Sequence, residues 1–165
     1  VPMISIEEVE NIAPGVANLS KSEHDVLCRF TLLWTLFEAQ ALDNEGSVRK
    51  ITSVVNEIEP QVIKESWFNE QLHYFMNRYI ENGKTNYRFE HLHLRKNDNP
   101  ELVELVLLGK TEDIVDQLIV CLTIVFRFRN NFFHGIKWAY GLQEQFENFE
   151  QATRLLKTCL EKFPK

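Results

Sequence analysis

IVDQLIVCLTIVFRF, running from Ile114 to Phe128, decides the fold: Ile, Leu, Val, Cys and Phe dominate it, and it reads as a stiff, buried helix. It leads without a break into Arg129-Asn130-Asn131-Phe132-Phe133-His134-Gly135. Packing alone would not write that second segment. Guanidinium, amide and imidazole groups are expensive to bury, and a rigid scaffold that nonetheless carries them is how catalytic or anion-binding side chains are presented.

Helical grammar extends outward from this stretch. Thr111 with Glu112 and Asp113 starts the apolar helix, the acidic pair suiting its dipole. Asn99-Pro100 reads as N-cap and first residue of a short helix ending at Gly109. Further upstream, Ser20 and Glu23 form a capping box, and Val26, Phe30, Leu33, Phe37 and Ala41 recur at spacings of three and four, with Leu27 and Trp34 widening the stripe. Val48, Ile51, Val54, Val55 and Ile58 make a second helix, stopped by Pro60. A third begins near Ser66 and carries Phe68, Leu72, Phe75, Met76 and Tyr79. Downstream, a helix is expected from Ile136 or Trp138 to Phe163, with a seam of Leu142, Phe146, Phe149, Thr153, Leu156, Leu160 and Phe163. That seam suits packing within a bundle, with self-association as the other use.

The polar interval 82–99 breaks the pattern and reads mostly as loop, in the role of a functional loop, flap or short hairpin. The expected architecture is all-α: an antiparallel helical bundle with one long polar loop, a single domain over 1–165 with its core at about 20–163.

At 165 residues and 44% hydrophobic, one core forms without staples. Cys28, Cys121 and Cys159 sit in separate apolar stretches without C-x-x-C spacing, which predicts small buried hydrophobes, no disulfide and no cysteine metal site. No basic region precedes an apolar leader and no apolar run is long enough to span a bilayer, so a soluble, cytoplasmic protein is expected, with Met3 as its start. A net charge of -6 argues against indiscriminate nucleic-acid binding. Positive charge is local: Arg127, Arg129, His134 and Lys137 form one group, His91, His93, Arg95 and Lys96 another, and no acidic residue falls between Asp116 and Glu144. Anionic ligands belong to these segments.

On an uninterrupted helix Arg127, Asn130 and His134 share one face, while Arg129 lies roughly 140° from His134 at 100° per residue. Either the helix loosens at Asn130-Asn131 and turns near Gly135, or a second copy of the chain completes the site. As a purely structural set, Arg129 and Asn130 would cap carbonyls or pair with a neighbouring acid, and His134 would sit hydrogen-bonded at the core boundary.

Arg129, Asn130, His134 and Gly135, placed between an apolar helix and a further long helix, resemble the HEPN family (higher eukaryotes and prokaryotes nucleotide-binding domains), whose motif is an Arg, four to six residues and a His. The resemblance spans Ser20 to Phe163 in helix order and points to the toxin and abortive-infection branch. It implies metal-independent RNA cleavage at a homodimer cleft, without cofactor. By this resemblance His134 transfers a proton, Arg129 holds the phosphate and Asn130 orients one of them, with Arg127, Asn131, Lys137, His91, His93, Arg95 and Lys96 as substrate contacts. It also implies a nucleotidyltransferase-like antitoxin as partner. The competing expectation is a non-catalytic HEPN-like module that binds a protein or nucleotide.

Other motifs point nowhere stronger. His91-Leu92-His93 lacks the accompanying Cys or acidic ligands of a metal site. Phosphate loops, dinucleotide fingerprints and G-x-S-x-G are missing from the sequence.

Overall fold

The computed structural model describes residues 1–133 and 145–165, with the side chain of Phe133 excepted. Among the described residues there are eight α-helices: α1 (Ile6–Glu10), α2 (Lys21–Ala41), α3 (Val48–Glu57), α4 (Asn69–Tyr79), α5 (Tyr87–Glu90), α6 (Pro100–Leu107), α7 (Ile114–Phe133) and α8 (Phe146–Lys162). The fold is an all-α bundle. The expected start of the last helix, at Ile136 or Trp138, lies outside the described residues, as does Leu142 of the seam.

Local chemistry sets the helix ends. Ser20 Oγ accepts from Glu23 N at 3.1 Å while Glu23 Oε2 accepts from Ser20 N at 2.6 Å, so α2 opens on a complete capping box. At the end of α6, Gly109 takes a left-handed φ of 68°, its N–H reaching Val106 O at 3.0 Å and that of Lys110 reaching Leu105 O at 2.9 Å. These paired bonds are a Schellman stop, and glycine adopts that φ without a side-chain penalty. Two boundaries differ from expectation. Glu65–Trp67 form a 3-10 turn, so α4 begins at Asn69 rather than Ser66. Asp113, not Thr111, caps α7: its Oδ1 accepts from Asp116 N at 2.9 Å, while Thr111 Oγ1 accepts from Asp113 N one turn earlier.

Side-chain pairs fix the directions of the four long helices. Phe30 meets Phe149 at 4.8 Å and Phe37 meets Phe163 at 6.0 Å, so α2 and α8 run side by side in one sense. Gln71 Nε2 donates to Gln151 Oε1 at 2.9 Å and Tyr74 Oη to Asn148 Oδ1 at 2.8 Å, so α4 runs opposite to α8. Contacts of Trp34 with Phe126 and of Phe132 with Phe149 set α7 against both α2 and α8, opposed to them in direction. Every residue of α7 from Leu118 to Phe128 is buried, as its all-round apolar sequence requires. Its one hydroxyl there, Thr123 Oγ1, bonds back to Ile119 O at 2.8 Å.

The 82–99 segment is more built than a loop. Ile80–Glu81 (β1) pairs with Lys84–Thr85 (β2) around Asn82-Gly83, both at positive φ (53° and 74°), the tight-hairpin combination. Asn86 then caps α5 through Arg88 N and Phe89 N, and Leu92 is buried in the core.

The cysteines divide two to one. Cys121 and Cys159 are buried and burial pushes both thiols up, whereas Cys28 is exposed, against the expectation for it. It projects from α2 on the side away from Val26 and Phe30. Iodoacetamide at neutral pH should therefore label native protein at Cys28 alone, since the thiolate is the nucleophile. Mass-spectrometric detection of label on Cys121 or Cys159 without denaturant would contradict this packing.

Candidate functional site

The C-terminal half of α7 carries a buried polar cluster that reaches across to the 82–99 segment. Arg127 is only 2% exposed. Its Nε donates to Leu92 O at 3.1 Å, Nη2 to Asn131 Oδ1 at 3.3 Å, and Nη1 lies 3.4 Å from Asp98 Oδ2. One helical turn on, Asn131 Nδ2 donates to the carbonyls of His91 and Leu92 at 3.3 and 3.2 Å. Asp98, itself buried, also accepts from Arg95 N at 2.8 Å. Arg127 and Asn131 thus clamp the segment to the bundle. Arg127 Nε and Nη2 and Asn131 Nδ2 are satisfied by the protein itself, while Nη1 has the Asp98 ion pair and no hydrogen bond. Burial lowers the Arg127 pKa from its ordinary value, Asp98 opposes that, and the nearby Arg95 charge adds to it.

Arg129 points elsewhere. It is half-buried, and its Nη1 donates to Asn130 Oδ1 at 2.9 Å. Asn130 is 5% exposed, so an amide locked in the interior holds one arm of a half-buried guanidinium whose Nε is itself buried. His134, Gly135 and Lys137 lie outside the described residues.

Two clefts flank this half of α7. The larger, of about 670 Å³, lies between the turn leading into α3 and the Arg95–Asp98 turn. Buried Arg127 and Asn130 form its floor, with exposed Arg49 and Arg95 at its rim. A smaller one, of about 130 Å³, is lined by Arg78, Tyr87, Arg88, His91, Asn131 and Asn148. There the Arg88 guanidinium sits 5.0 Å from the Tyr87 ring centre, and His91 meets the same ring edge-on at 5.9 Å. His91, His93, Arg95 and Lys96 are all exposed, and His93 takes a positive φ of 51°. The structure therefore separates the sequence-derived candidates: Arg127 and Asn131 hold the scaffold, Asn130 positions Arg129, and Arg95 and His91 open onto different clefts.

Two participants had no place in the sequence reading. Asp98 sits in the interval read as loop, and Arg49 is an exposed residue of α3. A signal for Asp98 existed: an arginine inside an apolar run demands a carboxylate from somewhere. Spacing alone could not say which one.

Among the described residues, no group of three or more His, Cys, Asp or Glu is placed to hold a metal ion. No described helix is long and apolar enough to cross a membrane. Comparison with protein families, with curated proteins and with solved structures finds no match to the chain.

Proposed function

We propose that this protein is a metal-independent endoribonuclease of the toxin or phage-defence type, acting as a homodimer whose cleft brings together Arg129, Asn130 and His134. The observation that carries it is the 2.9 Å bond from Arg129 to Asn130, directly after the buried Leu118–Phe128 stretch of α7. It presents a guanidinium fork in a fixed orientation, as phosphate recognition requires. In RNA the 2′-hydroxyl is an internal nucleophile. Its oxygen attacks phosphorus as His134 takes the proton, the bond to the 5′-oxygen breaks, and the imidazolium returns the proton, through water, to that leaving oxygen. Arg129 sits against the charge that builds on the phosphoryl oxygens. The arginines of the two flanking clefts supply positive surface for the strand on either side.

A second reading, a non-catalytic HEPN-like module that binds a protein partner or nucleotide, is favoured in its protein-binding form by one feature. The outer face of α2 leaves an apolar groove of Leu27, Cys28, Thr31 and Leu32, with Leu32 60% exposed. The same groove suits a second copy of the chain. One experiment separates the two functions. Purified protein in excess chelator should nick single-stranded RNA and leave 2′,3′-cyclic phosphate and 5′-hydroxyl ends. Intact RNA after prolonged incubation, or cleavage abolished by chelator, would remove the nuclease and leave the module.

A further inference from the structure

We propose that the larger cleft is a receptor for a terminal phosphate group, a phosphomonoester dianion seated between Arg95 and Arg127. Arg127 Nη1 is buried and makes no hydrogen bond, although Asp98 Oδ2 lies 3.4 Å away. A buried donor left in that state at the floor of a cleft is an opening for an acceptor oxygen. Arg95 stands close enough for its charge to act on Arg127, and among the described residues no carboxylate lies within ion-pair distance of its guanidinium. Like charges held together in this way are relieved by an anion.

The opposite wall adds further donors. Ser47 Oγ takes the N–H of Lys50 at 3.1 Å, which leaves the amides of Val48 and Arg49 at the positive end of the ten-residue α3. Both acidic groups of the cleft are already engaged: Glu45 accepts from Arg49 at 2.9 Å, and Asp98 accepts from Arg95 N. Three arginines against two carboxylates leave a surplus of one positive charge, on top of the helix dipole. The cleft ends at the buried Arg127 guanidinium, so it suits a group with three free oxygens better than a diester that must continue past it.

Such a phosphate can arrive on an RNA end or on a free mononucleotide. Phosphate capture here is independent of RNA cleavage at Arg129, and the probe can be made uncleavable. Binding of a 2′-O-methylated pentauridylate, phosphorylated at its 5′ or its 3′ end or at neither, would be measured by fluorescence anisotropy, with uridine 5′-monophosphate as competitor. Phosphorylation at one end is expected to tighten binding at least tenfold. Arg95→Ala should remove that gain, and so should Arg49→Ala, while Arg154→Ala, an exposed residue of α8 paired with Glu70 and Glu150, leaves it intact. Both cleft arginines are exposed, so an unchanged Tm should accompany the loss. Competition by the mononucleotide at its own comparable affinity assigns the site to free nucleotide, and weak competition assigns it to an RNA end. Equal binding of phosphorylated and unphosphorylated strands, or a gain that survives both substitutions, overturns the proposal.

Discussion

Arg127→Ala should destabilise the protein by about 3–5 kcal/mol, because it leaves Asp98 as a buried charge without its partner. The guanidinium makes the ion pair and donates to Leu92 O and Asn131 Oδ1, all in the interior. A loss of that size is a large part of the roughly 5–15 kcal/mol that holds a domain together. It corresponds to a fall in Tm on the order of 10 °C for a chain of this length. Chemical denaturation would measure the first and calorimetry the second. The origin of the loss is testable within the same series. In Arg127→Met combined with Asp98→Leu no buried charge remains, and Asn131 still donates to Leu92 O at 3.2 Å. The double variant should therefore recover most of the stability. In the single variant, hydrogen exchange should quicken first across residues 86–98, the segment that the clamp holds. A single variant within about 1 kcal/mol of wild type would mean that ordinary surface-pair energetics apply and that Arg127 holds nothing in place.

How much of this was written locally can be judged element by element. The capping box at Ser20, the Asn99-Pro100 start and the glycine stop after α6 are encoded within a few residues, and each was legible. So was the burial of α7, whose apolar run leaves no solvent face. The 82–99 segment was not legible, because what orders it comes from far along the chain: the Arg127 to Leu92 bond spans 35 residues and the Asn131 to His91 bond spans 40. Nothing in the polar interval itself announces those partners. Cys28 is a different case. The periodicity of α2 places it off the stripe of Val26, Phe30 and Phe37, and at this position that geometry outweighs the general preference of cysteine for interiors. At the site, Arg129 and Asn130 could be singled out as costly groups on a stiff helix. The bond that turns Asn130 into the orienting group depends on side-chain rotamers, which spacing does not specify.

His134→Ala should reduce the rate of RNA cleavage by about 10²–10⁴-fold, the usual worth of a positioned proton transfer. Arg129→Ala should cost about 10²–10³-fold through lost stabilisation of the phosphoryl charge. Arg129→Lys should rescue little, since an ammonium is a point charge without the fork that Asn130 now orients. Arg129→Ala leaves the buried Asn130 Oδ1 without its donor, at a cost of about 1–3 kcal/mol, so a rate lost well below the variant's own Tm reports chemistry rather than unfolding. Mixing the two inactive variants decides whether one chain or two build the site. If Arg129 of one protomer serves His134 of its twin, a mixed dimer keeps one intact site of two. Statistical exchange makes half the dimers mixed, so about a quarter of wild-type activity should return. If each protomer uses its own pair, every mixed site lacks one member and no activity returns. Measured against the separate variants, recovery near a quarter identifies a shared cleft. Cleavage undiminished in either single variant would instead remove both residues from the chemistry, however the subunits assemble.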